Sequence, residues 1–389
     1  MVNLKDGIFY AEGRIDTVTS GQFKEELKDA FNQESAVIDF SEVEYISSSG
    51  LRVILELMKK ISNVSIINAS VDVYEIFSVT GFTELINISK KLREISIEGC
   101  EIVGKGGTGT VYKVADDMIV KVFNPGTPLE MIETEKEFAK KSFVLGIPTA
   151  IPFDIVKVGD CYGTCFELLN AISLGKALQM YPERYDELVS KYVELVKTLQ
   201  NVEDTQGKFE NIKNVLIRRA EKLRGFLPDD IIDLVCEMTN CMPDSKTLVH
   251  GDLHTGNVMV QNDELLIIDM ADMTTGPKNY DMLCLYRDFY SMLSNPQGKE
   301  MGEKLVDMPA QMGLDLWDKI IRMMYDTTDE EEIKKLMHNF ELLTEVNTIA
   351  MSSLMPRAFL ENIKPYIIAK FNAVVPANKE EIAAGFTNL

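Results

Sequence analysis

Between residues 248 and 270 the chain places an aspartate, an asparagine and a second aspartate beside apolar runs. The first stretch reads Leu248-Val249-His250-Gly251-Asp252-Leu253-His254-Thr255-Gly256-Asn257-Val258-Met259-Val260, and the second Leu265-Leu266-Ile267-Ile268-Asp269-Met270. Phosphoryl transfer needs these residue types. One carboxylate orients an attacking hydroxyl and accepts its proton, while an amide oxygen and another carboxylate hold Mg²⁺ against the phosphates. Upstream, Met118-Ile119-Val120-Lys121-Val122-Phe123 sets one lysine in an apolar strand. A buried lysine is costly unless it finds a counter-charge. The next helix offers Glu133, Glu135 and Glu137 beside an expected core stripe of Ile132, Ala139 and Phe143. Glu135 is the preferred partner, and the other two glutamates stay open.

Ile102-Val103-Gly104-Lys105-Gly106-Gly107-Thr108-Gly109-Thr110-Val111-Tyr112 carries G-x-G-x-x-G at 104, 106 and 109. A dinucleotide fold would place a helix after these glycines. Here Val111-Tyr112-Lys113-Val114 predicts a strand, so the motif is a glycine turn in a β-hairpin, where small residues let backbone N–H groups approach phosphate oxygens. The absence of Gly-Lys-Ser/Thr excludes a P-loop. An ordinary Gly-rich hairpin is the alternative for the glycines taken alone.

The elements that must position these groups fall into three regions. In residues 1–92, strands Ile8–Ala11, Ala36–Phe40 and Val64–Ile67 alternate with helical patterns around Phe23/Leu27/Ala30/Phe31, Leu51–Ile61 and Val73/Ile76/Phe77, the mark of an α/β layer. Residues 97–170 are strand-rich with one helix, and 171–389 are mostly helical. Lys90-Lys91-Leu92-Arg93-Glu94 reads as a junction, Thr328-Asp329-Glu330-Glu331 as a capping box, and Pro356 and Pro365 as limits of the last helices.

Composition narrows the function. At 389 residues the chain exceeds a single core, and its 46% hydrophobic content argues against disorder. With 40 basic and 61 acidic residues the formal charge is −21, which repels nucleic acid. Six dispersed cysteines and three histidines offer little to a zinc site and fit a reducing cytoplasm. No apolar run approaches the roughly 20 residues of a membrane span, and the first residues do not read as a signal peptide. The expectation is a cytoplasmic protein with neither membrane nor nucleic-acid partner.

Residues 98 to about 290 resemble the protein-kinase-like superfamily, and the His-Gly-Asp-x-x-x-x-Asn form of 250–257 is similar to its aminoglycoside phosphotransferase and choline kinase branch. The resemblance implies an ATP- and Mg²⁺-dependent phosphotransferase acting on an unidentified hydroxyl acceptor, with a two-lobed α+β domain (N-lobe 97–170, helical C-lobe 171–389). It makes Asp252 the catalytic base, Asn257 and Asp269 the metal ligands, and His250 a brace for the catalytic loop. Gly104, Gly106, Gly107, Gly109 and Lys121 with Glu135 would hold the phosphates. Glu167-Leu168-Leu169 would be the hinge for adenine, through Glu167 and Leu169. Asp281 would anchor the loop from the following helix. The chain departs from typical protein kinases in Ile119, in Asp269-Met270-Ala271, in His254, and in the eleven residues between Asp269 and Asp281, too few for a long activation segment. These departures favour a small-molecule acceptor, its pocket expected around Tyr280, Tyr286 and Trp317.

Residues 7 to about 90 resemble a STAS domain, the fold of anti-sigma factor antagonists, through Gly13-Arg14-Ile15-Asp16, Val37-Ile38-Asp39-Phe40-Ser41 and Tyr45-Ile46-Ser47-Ser48-Ser49-Gly50-Leu51. The resemblance implies phosphorylation at Ser49 and an anti-sigma-type protein partner. That family usually has aspartate where this chain has Ser47. One of the three serines serving only as a helix cap is the other reading. A partner-switching regulator whose kinase-like part modifies protein, its own Ser49 included, or only senses nucleotide is the alternative function.

Overall fold

The computed structural model describes residues 2–389 and separates into two compact units, residues 2–96 with 155–160, and 97–154 with 161–389.

The first unit is built on β1 (Val2–Lys5), β2 (Ile8–Ile15), α1 (Ser20–Glu26), β3 (Ser35–Ile46), α2 (Ser48–Lys60), β4 (Asn63–Ala69), α3 (Val71–Val79) and β5 (Asn87–Lys90). The sheet runs in order β1-β2-β3-β4-β5, antiparallel only at its first pair. β3 extends past the predicted Phe40 because Val43 and Ile46 continue to point inward. The helices cover the sheet with a run of rings, Phe23–Phe40–Phe77–Phe82, at centroid spacings of 6.4, 5.8 and 5.9 Å. The expected junction at Lys90–Glu94 is itself structured. Lys91 N–H donates to Ala69 O at 2.8 Å, and Arg93–Glu94 (β6) pairs in parallel with residues 156–157.

Ser47, not Ser49, caps α2, its hydroxyl accepting from Ser49 N–H at 3.2 Å. Gly50 begins the buried face of that helix, and a Cβ there would meet Ile15 Cγ2 at 2.6 Å and Ile46 Cγ1 at 2.7 Å. Both isoleucines are core residues that cannot swing away. Valine gains little helix propensity over glycine, so overpacking decides the sign. Gly50→Val is expected to destabilise this unit by about 1–3 kcal/mol in denaturant unfolding.

The second unit opens with four mutually antiparallel strands, β7 (Glu101–Lys105), β8 (Gly109–Lys113), β9 (Met118–Phe123) and β10 (Cys161–Glu167), adjacent in the order β7-β8-β9-β10. Helix α4 (Leu129–Val144) follows β9. Its buried stripe is Ile132, Glu135, Ala139 and Ser142, and the predicted member Phe143 is instead 47% exposed. The spacing explains the correction: steps of three, four and three residues keep one face, and Phe143 falls one residue past it.

Helices α5 (Leu174–Met180), α6 (Tyr185–Leu199), α7 (Ile212–Glu221) and α8 (Asp229–Asn240) lead into the catalytic-type motif, whose strands Val258–Gln261 and Glu264–Ile267 pair as a hairpin. Then come α9 (Tyr280–Tyr286), a π-helical turn at Arg287–Ser291, α10 (Met292–Ser294), α11 (Lys299–Val306), α12 (Ala310–Tyr325), α13 (Glu330–Ser352), α14 (Arg357–Val374) and α15 (Lys379–Thr387). The cap of α13 is Asp329, one residue after the predicted Thr328, and it accepts from Glu331 N–H at 2.9 Å. Pro356 caps α14 as expected, but Pro365 lies within that helix and does not end it. Pro365 is exposed, and so is Glu361, four residues earlier, whose carbonyl the proline cannot serve as a donor. Among the described residues all six cysteines are free, and no helix is long and apolar enough to cross a membrane.

Candidate active site

Lys121 sits mid-strand in β9, opposite Val111 and Thr164 in its neighbours. Its Nζ donates to Glu135 Oε1 at 2.7 Å and to Asp269 Oδ1 at 3.3 Å. Of the three candidate glutamates only Glu135 lies on the buried stripe of α4. Glu133 and Glu137 are exposed. Burial opposes the lysine's charge, but Asp269 and Glu135 outweigh it and raise its pKa. Burial likewise pushes Glu135 upward, with Asp269 adding to it and Lys121 opposing. Asp269 ends the Glu264–Ile267 hairpin with a left-handed backbone, φ 62° and ψ 70°. A non-glycine residue holds that conformation only when its surroundings impose it, which is frequent at functional sites.

The loop around Asp252 is built from inside. His250 and Gly251 N–H donate to the two carboxylate oxygens of buried Asp281, at 3.1 and 2.8 Å. Gly251 turns the chain at φ +80°, a region side chains disfavour. His250 is fully buried, and its Nδ1 accepts from Asp252 N–H at 3.2 Å. The Tyr192 hydroxyl donates to Leu253 O. Asn257 Nδ2 donates to Asp252 O at 2.9 Å and to Asp252 Oδ2 at 3.1 Å. His254 Nδ1 accepts from Gly256 N–H, so Nε2 is the nitrogen turned to Asp252 Oδ2, at 3.4 Å. Burial raises the Asp252 pKa, but the His254 hydrogen bond, then the charges of His254, Arg287 and His250, prevail and hold it at about 2.

Arg287 and Asp288 complete this site and were not anticipated. Arg287 Nη2 reaches Asp252 Oδ1 at 3.4 Å, while its Nε and Nη2 bond Asp288 at 2.6 and 3.1 Å. Asp288 is completely buried. A signal was present: an Arg-Asp pair inside Met282-Leu283-Cys284-Leu285-Tyr286-Arg287-Asp288-Phe289 has no exposed face to occupy, so the two charges must satisfy each other.

Among the glycines, Gly106 N–H donates to Gly109 O at 2.9 Å, closing the hairpin turn. A Cβ at Gly109 would collide with Val122 O, whereas one at Gly106 would only touch Gly109 O at 4.0 Å and one at Gly107 would meet nothing. None of Gly104, Gly106, Gly107 and Gly109 has a positive φ, so this loop uses missing side chains rather than special torsions. At the expected hinge, Glu167 N–H donates to Ile151 O and Leu168 N–H to Asp117 O. The Glu167 side chain accepts from Ile151 N–H at 2.8 Å. Of the expected acceptor-pocket residues, Tyr280 and Trp317 are core residues, each 1% exposed, and Tyr280 donates to Asn347. Tyr286 does line a cavity.

A magnesium ion fits the donors present. Asn257 spends its amide nitrogen on Asp252, which leaves its oxygen for a cation, and the Asp269 carboxylate is partly exposed. Among the described residues no three His, Cys, Asp or Glu cluster to hold an ion unaided. Phosphate oxygens and water would complete the shell, as is usual for Mg²⁺.

Residues 99–312, more than half of the chain, match the phosphotransferase enzyme family. The chain belongs to that family. Residues 2–95 match the STAS domain, so this phosphotransferase carries a STAS domain ahead of its kinase-like part. No curated protein matches the phosphotransferase at significance. Solved structures similar to it include a gentamicin complex of aminoglycoside phosphotransferase APH(2″)-IIa, with 16% identity and TM-score 0.45 over 82% of this chain and 99% of that one. Aminoglycoside phosphotransferase APH(3″)-Id from Streptomyces rimosus shows 14% identity and TM-score 0.40 over 59% and 93%. A choline/ethanolamine kinase family protein from Mesorhizobium loti shows 13% and 0.39 over 74% and 92%.

Asp281 carries a direct prediction. Asp281→Asn replaces one acceptor by an N–H₂ facing a backbone N–H, leaving a buried donor unpaired at a cost of about 1–3 kcal/mol. Denaturant unfolding should show that loss. Hydrogen exchange at Gly251 should rise with it.

Proposed function

We propose that the chain transfers the γ-phosphoryl group of ATP to a hydroxyl of a small, positively charged molecule, in a Mg²⁺-dependent reaction. The observation that carries this reading is the convergence of Asp252, Asn257 and Arg287 on one side, and of Lys121, Glu135 and Asp269 on the other, from segments far apart in the chain. Lys121, fixed by Glu135, would hold phosphate oxygens. Gly106 N–H is spent on Gly109 O, and with no side chain at Gly107 the turn leaves room that a phosphate can enter. At the hinge, Leu169 would bind the base through its N–H, and Glu167 would have only its carbonyl to offer. Asn257 and Asp269 would hold the magnesium, which when bound offsets phosphate charge.

Asp252 accepts a hydrogen bond from the acceptor hydroxyl and aims its oxygen at the phosphorus. As the new P–O bond forms and the bond to the β-phosphate oxygen breaks, the hydroxyl proton passes to Asp252 and ADP leaves with the bonding pair. A carboxylate at about 2 is a weak base. Its main contribution is therefore orientation, which suits a loose transition state needing little proton removal.

The acceptor's charge is argued from a 290 Å³ cavity lined by Tyr286, Tyr290, Ser291, Glu341, Thr344, Glu345 and Lys370, among others, where Lys370 pairs with Glu345 at 2.5 Å and leaves the Glu341 carboxylate to a ligand. Tyr286 directly precedes Arg287. The Thr344 hydroxyl is buried without a partner. The Glu341 carboxylate, hydroxyls and aromatic faces suit a cation bearing hydroxyl groups. The test is Mg²⁺-dependent ATP turnover with a panel of amino alcohols, neutral alcohols and basic proteins. Stimulation by amino alcohols alone supports the reading, and stimulation by proteins alone overturns it.

A second reading concerns Ser49. Because Ser47 does the capping, the Ser49 hydroxyl at the start of α2 is free for phosphate, and helix N-terminal N–H groups favour that charge. Labelling of purified protein by radioactive ATP should fall to background in Ser49→Ala. Unchanged labelling removes this reading.

A further inference from the structure

The second unit holds another cavity, of 360 Å³, with the opposite charge. Lys197 reaches it from the last turn of α6 and Gln200 from the residue that follows that helix, Lys278 and Asn279 from the segment before α9, and Met324 and Tyr325 from the end of α12. No acidic residue lines it. That runs against the overall charge of a chain with 61 acidic and 40 basic residues. Lys197 pairs only loosely, with the largely exposed Glu194 at 3.6 Å, and Lys278 has no ion pair among the described residues. Asn279 N–H is already used, donating to Leu389 O at 3.0 Å.

The decisive feature is Gln200. Its residue is 6% exposed, and its side-chain nitrogen is buried with no hydrogen-bond partner. Burying an amide donor without an acceptor costs stability, so such a group points to an acceptor that binds there. We propose that this cavity is a ligand site for a phosphate monoester, its dianion between the Lys197 and Lys278 ammoniums, an oxygen on the Gln200 amide, and its organic part against Met324 and Tyr325. A phosphate monoester carries about −1.5 to −2 charges at neutral pH and three acceptor oxygens, matching two ammoniums and an amide better than a carboxylate does. The cavity volume falls within the range of small-molecule sites. It lies directly before Tyr280 and Asp281, so its occupancy bears on the helix end that carries the catalytic loop.

The experiment is calorimetry on the full chain with phenyl phosphate, inorganic phosphate and phenylacetate, in the presence of saturating ADP and Mg²⁺ so that the nucleotide cleft is occupied. Phenyl phosphate should bind saturably, and at least tenfold more tightly than phenylacetate. Lys197→Gln/Lys278→Gln should weaken it at least tenfold, and so should Gln200→Leu, which removes the orphan amide and should leave the free protein at least as stable. Phenyl phosphate binding should also slow hydrogen exchange at His250 and Gly251. No saturable binding, equal binding of phenylacetate, binding that survives the double lysine substitution, or unchanged exchange would each overturn the proposal.

Discussion

Asp252→Asn should lower kcat for phosphoryl transfer by roughly 10²–10⁴-fold, the usual range for a positioned acid–base group, with little change in KM for nucleotide. Asparagine fills the same space, and Asn257 keeps its bond to the residue 252 carbonyl, so the loop should hold its shape. What disappears is the charge that orients the acceptor. The same variant tests the electrostatics. A carboxylate held at about 2, below its ordinary 3.8, contributes stability that is complete above about pH 4 and is lost as the pH falls toward 2. The wild type should therefore weaken across that window more steeply than Asp252→Asn. Parallel acid-unfolding curves, or near-normal turnover by the variant, would refute the role given to this residue.

Lys121→Met should act on rate and stability together. Removing a charged group that stabilises transferring phosphate costs on the order of 10²–10³-fold in kcat. The methionine also strands Glu135, only 7% exposed, beside Asp269 with no cation between them. Breaking a buried pair from one side typically costs about 3–5 kcal/mol. The double variant Lys121→Met/Glu135→Leu removes both charges and should regain most of that stability in urea unfolding, yet regain no activity. Recovery of activity in the double variant would show that the lysine serves packing alone. An unaffected single variant would show that the pair is not buried in solution.

The amino-acid order went far toward the fold. The apolar run Met118–Phe123 and the helical run Leu51–Ile61 appear as β9 and α2 because hydrophobic content and spacing are written locally in the chain. The Gly-rich turn, the strand lysine and the Asp252/Asn257/Asp269 series were likewise legible, since their spacing is set by loops a few residues long. Asp281 could be named from the resemblance, but its bonds to two successive N–H groups are a finding of the structure.

Other points required three dimensions. Glu135 stood out from Glu133 and Glu137 only once the face of α4 was known, and Phe143 left the expected stripe for the same reason. Tyr280 and Trp317 looked like pocket residues because aromatic side chains serve cores and ligands alike. Only burial tells the two apart. The Arg287–Asp288 pair was visible as charges in an apolar run, but its reach to Asp252 depends on the π-helical turn. Short-range pattern thus determined which elements form and which chemical groups they offer. Tertiary packing decided which of those groups meet, because a hydrogen bond or ion pair between residues 121 and 269, or 252 and 287, has an energy only after the backbone has closed the distance.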